Sequence, residues 1–549
     1  MSGAPATVGP GRHRYPRGEA PSGGPEGNKW WTLTGVCFGT FMLLLDVTIV
    51  NVALPDIQSS LGSSFADLQW VIDAYALTLA SLLLTAGSLS DIFGRRRLYI
   101  IGLVVFTLAS TLCGVSQDTL LLQLSRGLQG VGGAIMFTVS LALLASAFQG
   151  KDRGIAFGIW GSITGVAVAV GPVVGGVLVS SLSWRWIFFV NIPIGIAALV
   201  ITVRRIAESR NPKAHGPDWI GFVVFTASLS SLVYALIESG QKGFGNTVVI
   251  TCFIAAAALM LAFVLFEMRT STPMLDLNLF RKPTFSGGAI AAFGISAGIF
   301  SMLLYLTLYL QNVLGYSALQ TGLRLLVLSG AILIVSAVAG RLSSHLPTRF
   351  LIGPGLALTG VGMLLMRGLD ASTSWTHLIP GFVVAGIGVG LVNPPLASTA
   401  VGVVPPRLAG MASGVNSTFR QVGIATGIAL LGTLFASRLE SAVTSATAGT
   451  AFAGRGESLA ALVQSGQLKT ALPKFPKAQI PVVEQIAATG FTSALNAILL
   501  IAAIVALITA VAAFVLIRTK DFHSEGDEQD AQFSSEHSDE PDAELVVVA

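Results

Sequence analysis

Residues 45–55 read LDVTIVNVALP, with a single carboxylate, Asp46, embedded in an apolar run that covers 31–54. That run exceeds the roughly 20 residues an α-helix needs to cross the hydrocarbon layer of a bilayer. A carboxylate in that layer costs on the order of 3 kcal/mol even on lenient insertion scales, so Asp46 needs a partner or a watery cavity. The surrounding sequence has to supply one or the other.

It does so in a chain built for lipid. Of the 549 residues, 53% are hydrophobic and only 11% charged, against about 25% charged in soluble domains. The mean hydropathy is +0.75. A soluble fold of this composition would expose more apolar surface than water tolerates. Apolar runs separated by polar breaks predict fourteen membrane-crossing helices, near 31–54, 69–89, 98–116, 120–147, 154–180, 186–206, 218–238, 247–267, 285–310, 319–340, 350–368, 376–402, 412–436 and 492–517. The fold class read from this is an all-α membrane protein.

Charge placement orients it. With the N-terminus cytosolic, the short inner connections hold Arg95, Arg96, Arg97, Lys151, Arg153, Arg210, Lys213, Arg269, Arg281, Lys282, Arg341, Arg349 and Arg407. The short outer connections hold only Arg185, Lys242 and Arg367, which is the positive-inside pattern. Both termini are therefore expected in the cytosol, with the chain multi-pass in the cytoplasmic (inner) membrane. Residues 1–29, rich in Pro and Gly, and the acidic stretch 519–549 read as disordered tails. The outer loop 437–491 is long, and its sequence decides neither a lid nor a mobile connection. Cys37, Cys113 and Cys252 fall singly in apolar segments, and the six histidines fall in tails, loops or segment ends, so no metal site is expected. There is no GxxxxGK[ST] phosphate loop, which leaves an ion gradient as the energy source. No cofactor and no nucleic acid partner is expected, and the chain reads as a monomer.

Helical rise places Asp46 roughly 13 Å, Arg126 roughly 9 Å and Asp73 roughly 6 Å below the outer surface. An Arg–carboxylate pair is geometrically open to them, with Asp46 the preferred partner of Arg126. Desolvation favours a neutral carboxyl and a nearby Arg favours the ionised one, and opposing terms of this kind suit a group that loads and releases protons. A purely structural ion pair is the plainer alternative. Arg420 opens an apolar stretch near the cytosolic side, where its side chain is long enough to snorkel.

Glycines add a second theme. Arg126, Gln129, Gly130 and Gly133 share one face of the fourth crossing. In the fifth, Gly161/Gly165 and Gly171/Gly175 repeat at four residues, with Pro172 inviting a kink. Such spacing lets neighbouring helices approach closely and marks a helix that bends or slides.

These motifs, in this order, resemble the fourteen-helix drug:proton antiporter branch of the major facilitator superfamily over roughly residues 30–518. Leu45–Pro55 is similar to the branch's first-helix motif. GSLSDIFGRRR resembles the superfamily's gating loop and supplies Gly87, Asp91, Gly94, Arg95 and Arg96, with Ile92 where a basic residue is usual. Arg126, Gln129, Gly130 and Gly132 match the fourth-helix motif. Gly171, Pro172, Gly175 and Gly176 match the antiporter motif, with Ala167 in place of its first glycine. WRWIFFVNIPIG from Trp184 and RQVG from Arg420 also resemble this branch. The resemblance implies two six-helix bundles, 30–206 and 285–518, with two helices inserted between them in 207–284. It also implies alternating access, with Asp91 and Arg95 closing the cytosolic side. The function expected is proton-driven export of amphiphilic drugs or antibiotics, not catalysis. Asp46, Arg126 and Asp73 are the coupling candidates, and Phe41, Asn51, Gln129, Tyr305 and Tyr309 the cavity candidates for a small amphiphile, cationic in this reading. Export of an endogenous metabolite, siderophore or lipid is the alternative, and a membrane receptor or enzyme a distant one.

Overall fold

A backbone in hydrocarbon has no water to bond, so each apolar run closes its own hydrogen bonds as helix. The computed structural model describes residues 27–522 except 64, 212–215, 271, 449 and 465–467. Among them there is helix and connecting turn but no strand. Most of the tails expected at 1–29 and 519–549 lies outside the described residues.

The first bundle comprises α1 (Gly27–Leu61), α2 (Phe65–Phe93), α3 (Arg95–Val115), α4 (Thr119–Ala147), α5 (Gly150–Ser181) and a sixth crossing split into α6 (Trp186–Phe189) and α7 (Asn191–Arg205). The inserted pair is α8 (Trp219–Lys242) and α9 (Thr247–Glu267). The second bundle begins with α10 (Pro283–Ile295) and α11 (Ser301–Leu308), separated and followed by wider turns at Ser296–Phe300 and Tyr309–Val313. It continues with α12 (Ala318–Leu342), α13 (Arg349–Leu365), α14 (Leu378–Gly402), α15 (Ala409–Thr447), α16 (Gly456–Gln464), α17 (Leu468–Ala471) and α18 (Ile480–Leu516). Among the described residues, thirteen helical stretches are long and apolar enough to cross a bilayer, and the shorter apolar helix α13 occupies the remaining expected segment.

Each bundle has its own core. In the first, Tyr99, Phe106, Phe137, Phe157 and Trp160 pack among aliphatic side chains. In the second, Tyr305, Tyr309, Phe382, Phe435 and Phe491 do so. The inserted pair packs through Phe222, Phe225 and Phe263 against Leu84 of α2 and Met411 and Val415 of α15. The two bundles meet where side chains shrink. Gly154 and Gly158 of α5 lie against Gly340 of α12, and a Cβ on Gly158 would sit 3.0 Å from the Gly340 Cα. Gly161 faces Pro394 of α14 at 2.9 Å in the same sense.

Three boundaries differ from the sequence reading. Helix α1 begins at Gly27, and Lys29, expected in a tail, pairs with Asp152 at 2.9 Å. Helix α15 runs to Thr447 and α18 starts at Ile480. At 1.5 Å per residue these helices reach roughly 58 and 55 Å, well beyond a hydrocarbon core of about 30 Å. The loop expected at 437–491 is thus largely helical. Phe452, Leu459, Ala460 and Val463 bury themselves against Val443, Val483 and Ile486, because this stretch carries its own apolar face. Below it lies a cavity of about 540 Å³ lined by Asn312, Leu314, Ser372, Leu472, Glu484 and Phe491.

Candidate functional site

Asp46 lies mid-way along α1 and is wholly buried, with 0% of its surface exposed; Arg126, on α4, is 1% exposed. The Arg126 Nη1 donates to Asp46 Oδ2 at 2.6 Å and to Gln129 Oε1 at 2.7 Å. Gln129, one turn further on the same face of α4, returns its amide to Asp46 Oδ1 at 2.9 Å. Asn191, the first residue of α7, donates to the same oxygen at 3.0 Å and to Ser110 of α3 at 3.0 Å. The Arg126 Nε donates to the Val71 carbonyl of α2 at 3.1 Å, and its guanidinium lies 4.2 Å from the centre of the Tyr75 ring. Five crossings of the first bundle thus converge on one ion pair. Three donors on one carboxylate compensate its loss of water, the condition under which a buried charge is tolerated.

Glycine makes this convergence possible. Gly130 packs against Thr78 and the Tyr75 carbonyl of α2, where any side chain would push α4 away, and Gly133 lies beside the Leu79 side chain. Gly171 and Gly175 of α5 seat on Thr48 and Ile49, the turn after Asp46. Gly176 faces open space and makes no such contact. Pro172 lies within α5 without ending it.

The expected gating residues gather at the face where both described chain ends lie. Gly94 has φ 106°, a conformation side chains rarely adopt, and turns α2 into α3. Asp91 accepts from Arg95 at 2.7 Å and caps the start of α15 in the other bundle. Its Oδ1 takes the Gly410 amide and its Oδ2 the Met411 amide, both at 2.9 Å. A carboxylate at a helix N-terminus meets unbonded amides and the positive end of the dipole. Arg95 reaches across to the Pro406 carbonyl at 2.7 Å. Gly87 touches Gly410 directly. Arg96 stays within its own bundle and donates to the Val203 and Thr202 carbonyls at the end of α7. The bundles are latched together at this face.

The remaining sequence candidates separate. Asp73 does not join Arg126. It faces α8, within electrostatic reach of Glu238, and its Oδ2 has no partner among the described residues. Gln129 belongs to the ion-pair network rather than to a cavity wall. Tyr305 stacks on Phe435 with ring centres 5.0 Å apart, and Tyr309 on Phe491 at 6.3 Å, so both build the second core. Phe41 is half-buried on α1, and the Asn51 side chain lies outside the described residues. Arg420 does not snorkel: it is 8% exposed and donates to Asn393 of α14 at 3.0 Å. Asn191 and Ser110 were missed by sequence reasoning. The available signal was an asparagine inside an apolar span, within a stretch already singled out around Trp184–Gly195.

The sequence profile of the Major Facilitator Superfamily matches residues 36–428. The multidrug resistance protein Stp of Mycobacterium tuberculosis is 38% identical over 409 residues, covering 74% of this chain and 76% of that protein. The puromycin resistance protein pur8 of Streptomyces alboniger is 36% identical, covering 75% and 82%. The tetracenomycin C resistance and export protein of Streptomyces glaucescens is 35% identical, covering 78% and 80%. Among solved structures, the proton:xylose symporter XylE superposes with a TM-score of 0.58 at 11% identity, over 90% of this chain and 96% of that one. This supports the fold alone. Architecture, motif geometry and relatives agree: the chain belongs to the major facilitator superfamily and is a multi-pass membrane transporter, not an enzyme.

Proposed function

We propose that this protein exports amphiphilic drugs or antibiotics across the cytoplasmic membrane in exchange for protons, with both termini cytosolic. The observation that carries the coupling is the buried Asp46–Arg126 pair, tied through Gln129 and Asn191 to several helices of one bundle. Protonating Asp46 removes the charge that holds Arg126, and the guanidinium must then find other acceptors. Helices α1, α4 and α7 are the elements that such a change would reset. Helix α5, seated by glycine on the turn after Asp46, touches the second bundle along its other glycines. A change at Asp46 therefore has a short route to the interface between bundles. The latch at Asp91 closes the cytosolic side in this conformation, so the central path opens outward when the proton arrives.

The relatives support the cargo class, since their names record resistance to puromycin and export of tetracenomycin C. Export of an endogenous metabolite by the same cycle is the runner-up. The deciding experiment is flux of an amphiphilic dye in proteoliposomes under an imposed pH gradient, with Asp46→Asn alongside. Uphill flux that needs the gradient and disappears in the variant is the expected result. Flux indifferent to the gradient, or retained in Asp46→Asn, would overturn proton antiport through this carboxylate.

A further inference from the structure

Arg420 lies on α15, eleven residues after its start at Ala409, which is roughly 17 Å along the helix and near the middle of a bilayer. Ser413, Asn416, Ser417 and Arg420 follow each other at i, i+3, i+4 and i+7, so they share one face. The first of them shows where that face points: Ser413 donates to the Thr138 carbonyl of α4, in the opposite bundle. Asn393, which accepts from Arg420 at 3.0 Å, immediately precedes Pro394, the residue that packs on Gly161 of α5. Arg420 and Asn393 therefore belong to the surface along which the two bundles meet.

That surface is polar and unsatisfied. The Nε and Nη2 of Arg420 have no hydrogen-bond partner, and neither do both amide atoms of Asn416, the Ser417 hydroxyl or the Thr418 hydroxyl, counted among the described residues. Nor does any carboxylate among those residues pair with Arg420. Leaving a guanidinium buried and uncompensated is costly, and native interiors seldom retain such a group without a purpose.

We propose that Arg420, with Asn393, Asn416 and Ser417, is a binding subsite for an anionic acceptor group on the cargo, a carboxylate or an acidic phenol. This rests on the reading of the protein as an exporter of amphiphiles and narrows its substrate class. The planar fork of a guanidinium matches two oxygens side by side, and the two asparagines and the serine supply donors around it. Desolvation makes the contact stronger than it would be in water. The preferred cargo is an acid or zwitterion with an apolar body, rather than a simple lipophilic cation.

The test uses the full-length transporter in lipid nanodiscs and equilibrium binding without a gradient. The probes are a xanthene dye bearing a free carboxylate and the methyl ester of the same dye. Wild type is expected to bind the acid about tenfold more tightly than the ester, the size of one charge-assisted hydrogen bond. Arg420→Gln should erase that preference, bringing the two affinities within about twofold of each other. Arg420→Lys should keep part of it. Equal affinities in wild type, or a preference that survives in Arg420→Gln, would overturn the proposal. The wild-type comparison decides alone if the variant does not fold. Since no gradient is imposed, failure of proton coupling would show separately, as absent uphill flux of both dyes.

Discussion

Each bundle buries an arginine, and the two keep different company. Arg126 meets Asp46 at 2.6 Å and adds Gln129 and the Val71 carbonyl. Arg420 has only the Asn393 amide oxygen, with two of its nitrogens unpartnered among the described residues. The first is a closed circuit, in which each charge has its counterpart inside the protein. Only a change within the protein, such as a proton arriving, can disturb it. The second is an open circuit, completed by something that comes and goes. In the proposed reading, the same residue type serves coupling in one bundle and recognition in the other.

The largest effect expected from breaking this contrast is at the carboxylate. Asp46→Asn should reduce gradient-driven transport to the level of empty vesicles, while exchange of dye down its own gradient continues. Parallel flux assays with and without a pH gradient would check this; loss of both activities would mean that Asp46 serves folding only. Next comes Arg126→Ala. Removing one partner of a buried pair costs about 3–5 kcal/mol, visible as a lower unfolding temperature in detergent. Adding Asp46→Asn should recover at least about 1 kcal/mol of it, because the stranded charge is gone. A double variant no more stable than Arg126→Ala would break the closed-circuit description.

A smaller effect is expected at the latch. Asp91→Asn keeps an acceptor for one α15 amide but loses the Arg95 ion pair and the charge on the helix dipole, together about 1–2 kcal/mol. That is enough to raise the inward-open population about tenfold. A cysteine introduced at Ser413, on the surface between bundles, should then label faster with a thiol reagent added from the cytosolic side. Unchanged labelling would confine Asp91 to packing.

Much of this was legible in the sequence because lipid makes charge expensive. A carboxylate in an apolar run demands a partner, and helical rise left Arg126 within reach of Asp46. The fourteen spans were legible for the same reason, since each must close its own backbone bonds. What escaped were features without that cost. Asn191 carries no charge, so an apolar span containing it looks ordinary. Asp73 sits at a depth similar to Arg126, but rise says nothing of rotation about the helix axis, and that rotation turns it toward α8. Arg420 was misplaced by a boundary: the apolar run begins at 412, whereas the helix begins at Ala409 behind the turn Pro406–Leu408. The helices in 437–491 were hidden because their apolar faces are short and broken by Gly and Pro.

The smallest predicted effect sharpens the comparison most. Arg420→Gln removes a charge that has no counterion among the described residues, so no partner there is stranded by its loss. Its glutamine can still donate to Asn393 and shed the cost of burying a guanidinium. Stability should stay within about 1 kcal/mol of wild type, with a shift toward greater stability the favoured sign. Arg126→Ala is expected to move the other way and several times further, although both substitutions delete a buried arginine. Thermal unfolding of the two variants, measured in the same detergent without cargo, reads the difference directly. A large loss in Arg420→Gln would mean that its guanidinium is already compensated in the resting protein, and the open circuit would be closed after all. A small change, with the acid preference gone, would mean that the second bundle carries its arginine at a standing cost for the sake of what it binds.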